Sequence, residues 1–216
     1  MEQKKGKKLR KKEAIKPARL MKPRITPLNK KEARRINKKL LDRSEWKRMF
    51  KLLENNPVNK ALFALNVYST LMRNQDITMR VMMMFRQLSS KMTISERERE
   101  LLVLRTAWLC YSEYEWGNHL LLGKQAGLTD QEINNIKIGF TAEEWNSSDA
   151  LLLKIVDELY FDNFITDDTW MALNEKYDFE QIMDIIFLVG QYNLLAMFLN
   201  STGVQLEYNK KGFEEE

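Results

Sequence analysis

The chain has 216 residues, of which 44% are hydrophobic and 30% charged, a balance typical of a globular protein with a substantial core. Eight glycines and four prolines are too few for the many turns of a β-sandwich, so the composition favours a mostly helical fold. A single cysteine, Cys110, and a single histidine, His119, exclude an intramolecular disulfide and a metal site built from several Cys or His ligands.

Charge divides the chain into a basic N-terminal part and an acidic remainder. Residues 1–60 carry 22 Lys and Arg against 6 Asp and Glu, whereas residues 61–216 carry 13 against 24. Because residues 1–18 are basic and hold few apolar side chains, we predict a disordered tail there. Contact with nucleic acid is the less favoured interpretation of this tail, since it lacks interleaved aromatic residues. A solubilising role, or packing on the acidic remainder of an oligomer, is favoured.

Helix signals follow in chain order after an extended, proline-spaced segment at 17–27. The pattern predicts helices at about 30–41, 44–53, 57–72, 76–89 and 95–108. After a break at 110–112, it predicts one helix that ends at 126, one that starts at 130, and three more at 149–160, 167–176 and 180–200. Two capping boxes and two single caps fix four of the helix starts: Thr93 with Glu96, Thr129 with Glu132, Ser148, and Thr166. The methionines at 82–84 fit a core or an oligomer interface.

The sequence also gives an expectation for the cellular compartment. The longest apolar run, residues 182–199, is interrupted by Asp184, Gln191 and Asn193, so we predict no membrane-spanning helix. The N-terminus has lysines where a secretory signal has its apolar core. We therefore expect a cytoplasmic protein with a reduced thiol and no membrane contact.

The chemically informative stretch is residues 113–119. Glu115 and His119 are four residues apart on a predicted helix, so their side chains project from one face with β-carbons about 6 Å apart. We expect the carboxylate to hydrogen-bond the imidazole, to orient it and to raise its basicity. Taken alone, such a pair is more often a surface or core pair than a catalytic one.

Seven blocks of this sequence resemble the carboxymuconolactone decarboxylase family, which has the alkylhydroperoxidase D-like fold. They are ERERELLVLR at 96–105, YEWGNH at 114–119, AGLT at 126–129, DEL at 157–159, TDDTW at 166–170, VGQYN at 189–193 and LNSTGV at 199–204. We therefore divide the chain into the tail, a basic segment at 19–55, a family-like domain at 56–206 and a C-terminal tail at 207–216. The resemblance implies an all-α domain that assembles as a homo-oligomer, a trimer or a hexamer.

The resemblance also says which chemistry is missing. In the peroxidase branch it implies a Glu, then a Cys-x-x-Cys pair, then a His four residues after the second Cys. Aligned on His119, Glu100 matches the Glu, whereas Ser112 and Glu115 stand where the two thiols would be. Cys110 lies two positions too early and has no partner, so a dithiol peroxidase cycle is not available within one chain.

The remaining Glu100, Glu115 and His119 fit the acid/base chemistry that the resemblance implies for the decarboxylase branch. That branch is a lyase acting on a small lactone acid. His119 would donate and accept the proton, Glu115 would hold and tune it, and Glu100 would relay or position it. For Glu100 a surface charge is an equal alternative. Three side chains are candidate substrate contacts: Tyr192, Ser112 and Tyr111.

We predict a small-molecule substrate, no cofactor and no metal. Two alternative functions stay open at this point. One is a non-catalytic oligomeric binding protein of the same fold with a basic N-terminal arm. The other is a residual thiol peroxidase that uses Cys110 with an external reductant.

Overall fold

The computed structural model describes residues 20–54, 65–208 and 210–213, and every regular element in these ranges is an α-helix, which confirms the all-α prediction. The ten helices of the described residues are α1 (Lys30–Leu40), α2 (Ser44–Glu54), α3 (Asn66–Leu71), α4 (Gln75–Ser90), α5 (Glu96–Leu109), α6 (Glu113–Gln125), α7 (Asp130–Ile138), α8 (Ser147–Asp162), α9 (Asp167–Asn174) and α10 (Phe179–Thr202). The start of the helix predicted at 57–72 and the tail predicted at 1–18 lie outside the described residues.

The cap of α5 differs from the prediction. Ser95, not Thr93, is the N-cap: the Glu98 amide donates to the Ser95 hydroxyl at 3.2 Å, and the Ser95 amide donates to the Glu98 carboxylate at 2.9 Å. Thr93 is engaged elsewhere, because its amide and its hydroxyl donate to Asp184 on α10 at 2.9 and 3.0 Å. Both capping patterns fit locally, and the contact with α10 decides between them.

The cap of α8 also differs, whereas that of α7 is confirmed. The amides of Ser148 and Asp149 both donate to the side-chain oxygen of Asn146 at 2.9 Å, so Asn146, not Ser148, is the N-cap. The capping box of Thr129 with Glu132 forms as predicted. The cap at Asn146 starts the helix two residues earlier than predicted, so the Ser148 amide is itself one of the groups that the cap satisfies.

α5 is the central helix, packed against α6, α8 and α10. Leu101, Leu102, Val103 and Leu104 are all fully buried, so this part of α5 has no solvent face. Each buried side chain of this size contributes about 1.5–3 kcal/mol relative to an exposed one. The packing of the surrounding helices therefore stabilises α5.

The basic N-terminal helices have a core of their own. Its buried members are Leu28, Leu40, Trp46, Met49, Tyr68, Met72 and Met82. These residues come from α1 and α2, from α3 and α4, and from the segments that flank them. Met82 is thus in the core, as its spacing predicts, while its neighbour Met83 is 44% exposed.

A buried ion pair ties α5 to α7 and α8. The Arg105 guanidinium donates to both carboxylate oxygens of Asp157, at 2.7 and 2.9 Å, and to the carbonyl of Ile136 at 2.7 Å. Gly139 leaves room for this group, because a β-carbon there would lie 2.5 Å from a guanidinium nitrogen. The buried charge of Arg105 is therefore neutralised by Asp157, and its guanidinium is also hydrogen-bonded to the Ile136 carbonyl.

Residues 204–208 and 210–213 lie across α6. The Tyr114 hydroxyl donates to Glu207 at 2.7 Å, and the Phe213 ring stacks on that of Tyr111 with centroids 5.1 Å apart. What we predicted as a C-terminal tail is thus held against the helices over its described part.

α10 is long and apolar enough to span a membrane by length and composition, and it is the one helix in the described ranges with this character. In its most apolar stretch, 56% is buried inside the fold. One face of α10 packs into the core and brings Tyr192 inwards, while the other face meets solvent.

Candidate active site

The candidate site lies where α5, α6 and α10 meet. α5 ends beside Cys110, Tyr111 adopts a left-handed backbone with φ of 52°, and α6 then runs back along α5. The Ser112 amide closes this corner by donating to the Ala107 carbonyl at 2.8 Å. The break predicted at 110–112 therefore brings the first half of α5 beside the middle of α6.

Glu100 and His119 meet across this helix pair. His119 Nδ1 lies 2.7 Å from Glu100 Oε2, and Arg99 Nε donates to the other carboxylate oxygen at 3.0 Å. Glu100 is completely buried, so the surface-charge alternative is wrong. Burial alone would raise the pKa of Glu100, but the charge and hydrogen bond of His119, followed by those of Arg99, hold it below its usual value. Glu100 is therefore an ionised acceptor, which places a proton on Nδ1.

Tyr192 completes a chain of three side chains. Its hydroxyl lies 3.1 Å from His119 Nε2, and the two rings meet edge to face with centroids 5.1 Å apart. Burial, and then the nearby carboxyls of Glu100 and Glu115, raise the pKa of Tyr192 well above its usual value. The hydroxyl keeps its proton at neutral pH, and in the neutral imidazole Nε2 is the atom that accepts it.

Glu115 does not pair with His119, which corrects the predicted contact. The residue is 2% exposed, and neither carboxyl oxygen has a hydrogen bond of normal geometry among the described residues. Burial raises the pKa of Glu115 to about 8, and the nearby Ser112 hydroxyl offsets only part of this effect. Glu115 is thus a neutral acid at pH 7. The imidazole turns instead to the ionised Glu100, because a carboxylate is the stronger acceptor.

The other candidate residues surround the same corner. Ser112 is fully buried, and its hydroxyl has no hydrogen bond of normal geometry in the described part of the chain. Tyr111 packs its ring against Phe213, so the C-terminal segment covers it. Burial, and then the neighbouring Glu115, raise the pKa of Cys110 to about 12, which leaves a protonated and poorly nucleophilic thiol.

Arg99 is the residue that sequence reasoning missed. Besides Glu100, its guanidinium donates to the carbonyl of Ser89 at 3.0 Å. The Arg99 side chain that holds the Glu100 carboxylate is therefore itself fixed to α4. Arg97 lies only two positions earlier in the same alternating run of Glu and Arg, yet it pairs with Asp149 at 2.9 Å. No local feature separates these two arginines, since the packing of different helices against α5 decides their partners.

A surface cavity of about 240 Å³ lies elsewhere, between α6, α7 and the C-terminal residues. Its lining consists of Trp116, Leu120, Lys124, Asp130, Ile133, Asn134, Lys137, Lys211 and Gly212, and therefore includes none of Glu100, His119 or Tyr192. Nowhere in the described ranges do three His, Cys, Asp or Glu side chains come together as ligands for a metal ion.

Solved structures share this architecture. The chain is similar to an uncharacterised peroxidase-related protein from a Silicibacter species, with a TM-score of 0.64, 15% identity and coverage of 89% of this chain and 93% of that one. It is similar to the alkylhydroperoxidase AhpD core of a peroxidase-related protein from Ralstonia eutropha (TM-score 0.63, 16% identity, coverage 76% and 85%). It is also similar to the debrominase Bmp8 in complex with 2,3,4-tribromopyrrole (TM-score 0.62, 13% identity, coverage 87% and 94%). The fold is therefore alkylhydroperoxidase D-like.

A family model matches the middle part of the chain. The carboxymuconolactone decarboxylase family model matches residues 78–148, a segment that contains Glu100, Glu115 and His119 but not Tyr192. Residues 78–148 are thus similar to the carboxymuconolactone decarboxylase family, as the resemblance of the motifs predicts. No curated protein sequence matches the chain significantly.

Proposed function

We propose that the chain is a cofactor-free enzyme that applies acid/base chemistry to a small lactone or carboxylic acid, as a lyase of the decarboxylase type. The observation that carries this proposal is the continuous chain from Glu100 through both nitrogens of His119 to the Tyr192 hydroxyl. Such a chain fixes the plane of the imidazole and leaves Nε2 as the proton-transferring atom.

In the proposed reaction, the bond between the substrate ring and its carboxylate breaks and carbon dioxide leaves. The electron pair stays on the ring as a dienolate, and a proton passes from His119 Nε2 to the ring carbon. His119 Nε2 takes up this proton from solvent before the reaction, and Glu100 stabilises the imidazolium that forms. Substrate takes the place of Tyr192 on Nε2, which frees the Tyr192 hydroxyl to donate to the developing oxygen anion.

Glu115 supports this chemistry by being neutral. Below its pKa of about 8 it carries no charge, so it does not repel an anionic substrate. Its protonated oxygen is a second donor one helical turn from His119. The proposed role therefore differs from the tuning role that the sequence suggests.

We propose further that the enzyme works as a cytoplasmic homo-oligomer, a trimer or hexamer according to its resemblance, without membrane contact. The apolar side chains that the described helices expose support association. Nucleic acid, which the basic N-terminal part of the chain would contact, is the less favoured partner.

A non-catalytic binding protein of the same fold is the second candidate. One observation favours it: the Tyr192 hydroxyl occupies the Nε2 atom of His119, and the His119 side chain is only 15% exposed. The thiol peroxidase alternative is weaker, because burial keeps Cys110 protonated and Ser112 and Glu115 replace the thiols.

Turnover of small lactone carboxylates tests the proposal, with carboxymuconolactone as the first probe and release of carbon dioxide as the readout. His119→Gln should lower turnover about 10²–10⁴-fold, because glutamine cannot exchange a proton at neutral pH. Lys124→Gln, an exposed change at the end of α6, should leave it unchanged. The proposal is contradicted if His119→Gln turns over substrate as fast as the wild type, or if the wild type turns over no lactone. Either result favours the binding protein.

A further inference from the structure

The solvent face of α10 carries a continuous apolar surface, the α10 stripe. Its members are Phe179, Met183, Phe187, Gly190, Leu194 and Met197. They are spaced by three or four residues, so they follow one face of the helix. From residue 185 to the end of α10 there is no charged side chain, although half of this length meets solvent.

The stripe is large for a surface that stays in water. Its five side chains are each 52–74% exposed, which amounts to about three whole side chains. At about 150 Å² for each side chain, the lower end of the range for aromatic side chains because three of the five are Met or Leu, this is on the order of 450 Å² of apolar surface. Monomers rarely expose larger patches, and a stable interface buries about 800 Å² on each partner. The stripe thus fits the central part of a protein–protein contact.

Gly190 lies in the middle of the stripe, and the fold of one chain does not require it. A β-carbon at this position would have no atom within 4 Å. Glycine inside a helix costs about 0.5–1 kcal/mol relative to alanine. The gap that it leaves lets the backbone of a second helix approach closely at this point.

The order of side chains on the stripe is nearly symmetric about Gly190. Met183 and Met197 are seven residues before and after it, and Phe187 and Leu194 are three before and four after. If two such helices cross antiparallel at Gly190, Met183 meets Met197 of the other copy, and Phe187 meets Leu194. A surface that matches itself in this way is what a two-fold contact needs.

We infer that the α10 stripe binds the α10 stripe of a second copy of this chain, antiparallel and across a two-fold axis beside Gly190. The inference rests on the proposed homo-oligomer and not on the proposed chemistry. A two-fold contact of this kind makes a dimer, or joins two trimers into a hexamer. A bilayer fits the stripe less well, because helices that lie on membranes are rich in Lys and Arg, and α10 has neither.

A charge placed on the stripe tests the contact. Leu194→Glu and the control Leu121→Glu on α6 change side chains that are 57% and 59% exposed, so both variants should fold as judged by circular dichroism. Light scattering over a wide range of protein concentrations should show that Leu194→Glu raises the dissociation constant at least about 100-fold. Leu121→Glu should leave it unchanged.

Cross-linking tests the orientation, in a Cys110→Ser background that removes the natural thiol. Met183→Cys protein mixed with Met197→Cys protein should form a disulfide-linked pair on oxidation. Either protein alone should not, because in the antiparallel arrangement two copies of position 183 are about 21 Å apart along the helices. A disulfide within the Met183→Cys protein alone would indicate a parallel contact and overturn the inference.

Three other results also overturn it. One is a monomer at every concentration, and another is an oligomer that Leu194→Glu leaves intact or that Leu121→Glu dissociates. The third is a monomer that sediments with phosphatidylcholine vesicles and loses this binding in Leu194→Glu. Because these experiments use no substrate, their failure is distinguishable from a failure of the proposed reaction.

Discussion

The buried carboxyl of Glu115 predicts an unusual dependence of stability on pH. Its pKa is about 8 in the folded chain, against a usual value of 4.5 that we take for the unfolded chain. Between these two values the unfolded state is ionised and the folded state is not, so unfolding releases a proton. The free energy of unfolding therefore falls as pH rises, by up to about 1.4 kcal/mol per pH unit. Below pH 4.5 both states are protonated and the contribution is constant.

Glu115→Gln isolates this contribution. Glutamine has nearly the same shape as the protonated acid and cannot ionise in either state. The two proteins should be about equally stable near pH 4.5, and at pH 7 the variant should be more stable by about 3 kcal/mol. Over the whole window the difference reaches about 5 kcal/mol. All other titrating groups are common to both proteins and cancel in the comparison.

Urea unfolding followed by tryptophan fluorescence measures the effect at pH 5, 6, 7 and 8. The protein concentration is held fixed, because association also stabilises the folded state. Glu143→Gln, an exposed change outside the site, should follow the wild type at every pH. Parallel curves for wild type and Glu115→Gln would refute the reasoning, since Glu115 would then be ionised in the folded chain. The neutral donor in the proposed reaction would be lost with it.

Three further outcomes are expected. Tyr192→Phe should lower lactone turnover about 10–100-fold in steady-state assays while the melting temperature changes little, because the ring stays packed and only the donor is removed; an unchanged rate would take Tyr192 out of the reaction. The protein should reduce little peroxide in assays coupled to an external thiol, and Cys110→Ser should change neither this background nor lactone turnover. A robust peroxidase activity that Cys110→Ser abolishes would contradict the acid/base assignment. Asp157→Asn should destabilise the fold by about 3–5 kcal/mol in urea unfolding, because the buried Arg105 charge loses its partner, and a cost near zero would show that solvent reaches this pair.

Local sequence patterns predict the positions of the helices well. They predict poorly which side chains form hydrogen bonds between helices. The break at 110–112 and the capping box of Thr129 involve residues close in sequence, and both form. Thr93 and Ser95 fit the same capping rule, and only the distant Asp184 on α10 separates them. The sequence contains no local sign of that contact. Helix ends are therefore predictable to within a few residues, whereas the cap itself depends on tertiary packing.

The candidate site shows the same division. The residue types follow from the family motifs, and the structure brings Glu100, His119 and Tyr192 together. The pairing of Glu115 with His119 follows from helical spacing alone, and it fails because spacing says nothing about a competing acceptor on another helix. Burial raises the pKa of Glu115, and burial is a property of the assembled fold.

Glu115 stands where the resemblance to the peroxidase branch implies a second thiol, and its raised pKa gives it one property in common with such a thiol. An ordinary thiol has a pKa of about 8.5, and burial brings Glu115 to about 8. Both groups are protonated at neutral pH, but Glu115 makes no hydrogen bond with His119, which is held by Glu100 on the neighbouring helix. Only the thiol can form a disulfide and pass electrons to a peroxide. We therefore propose that position 115 keeps a protonated group without redox capacity, which agrees with the acid/base chemistry that we propose for this chain.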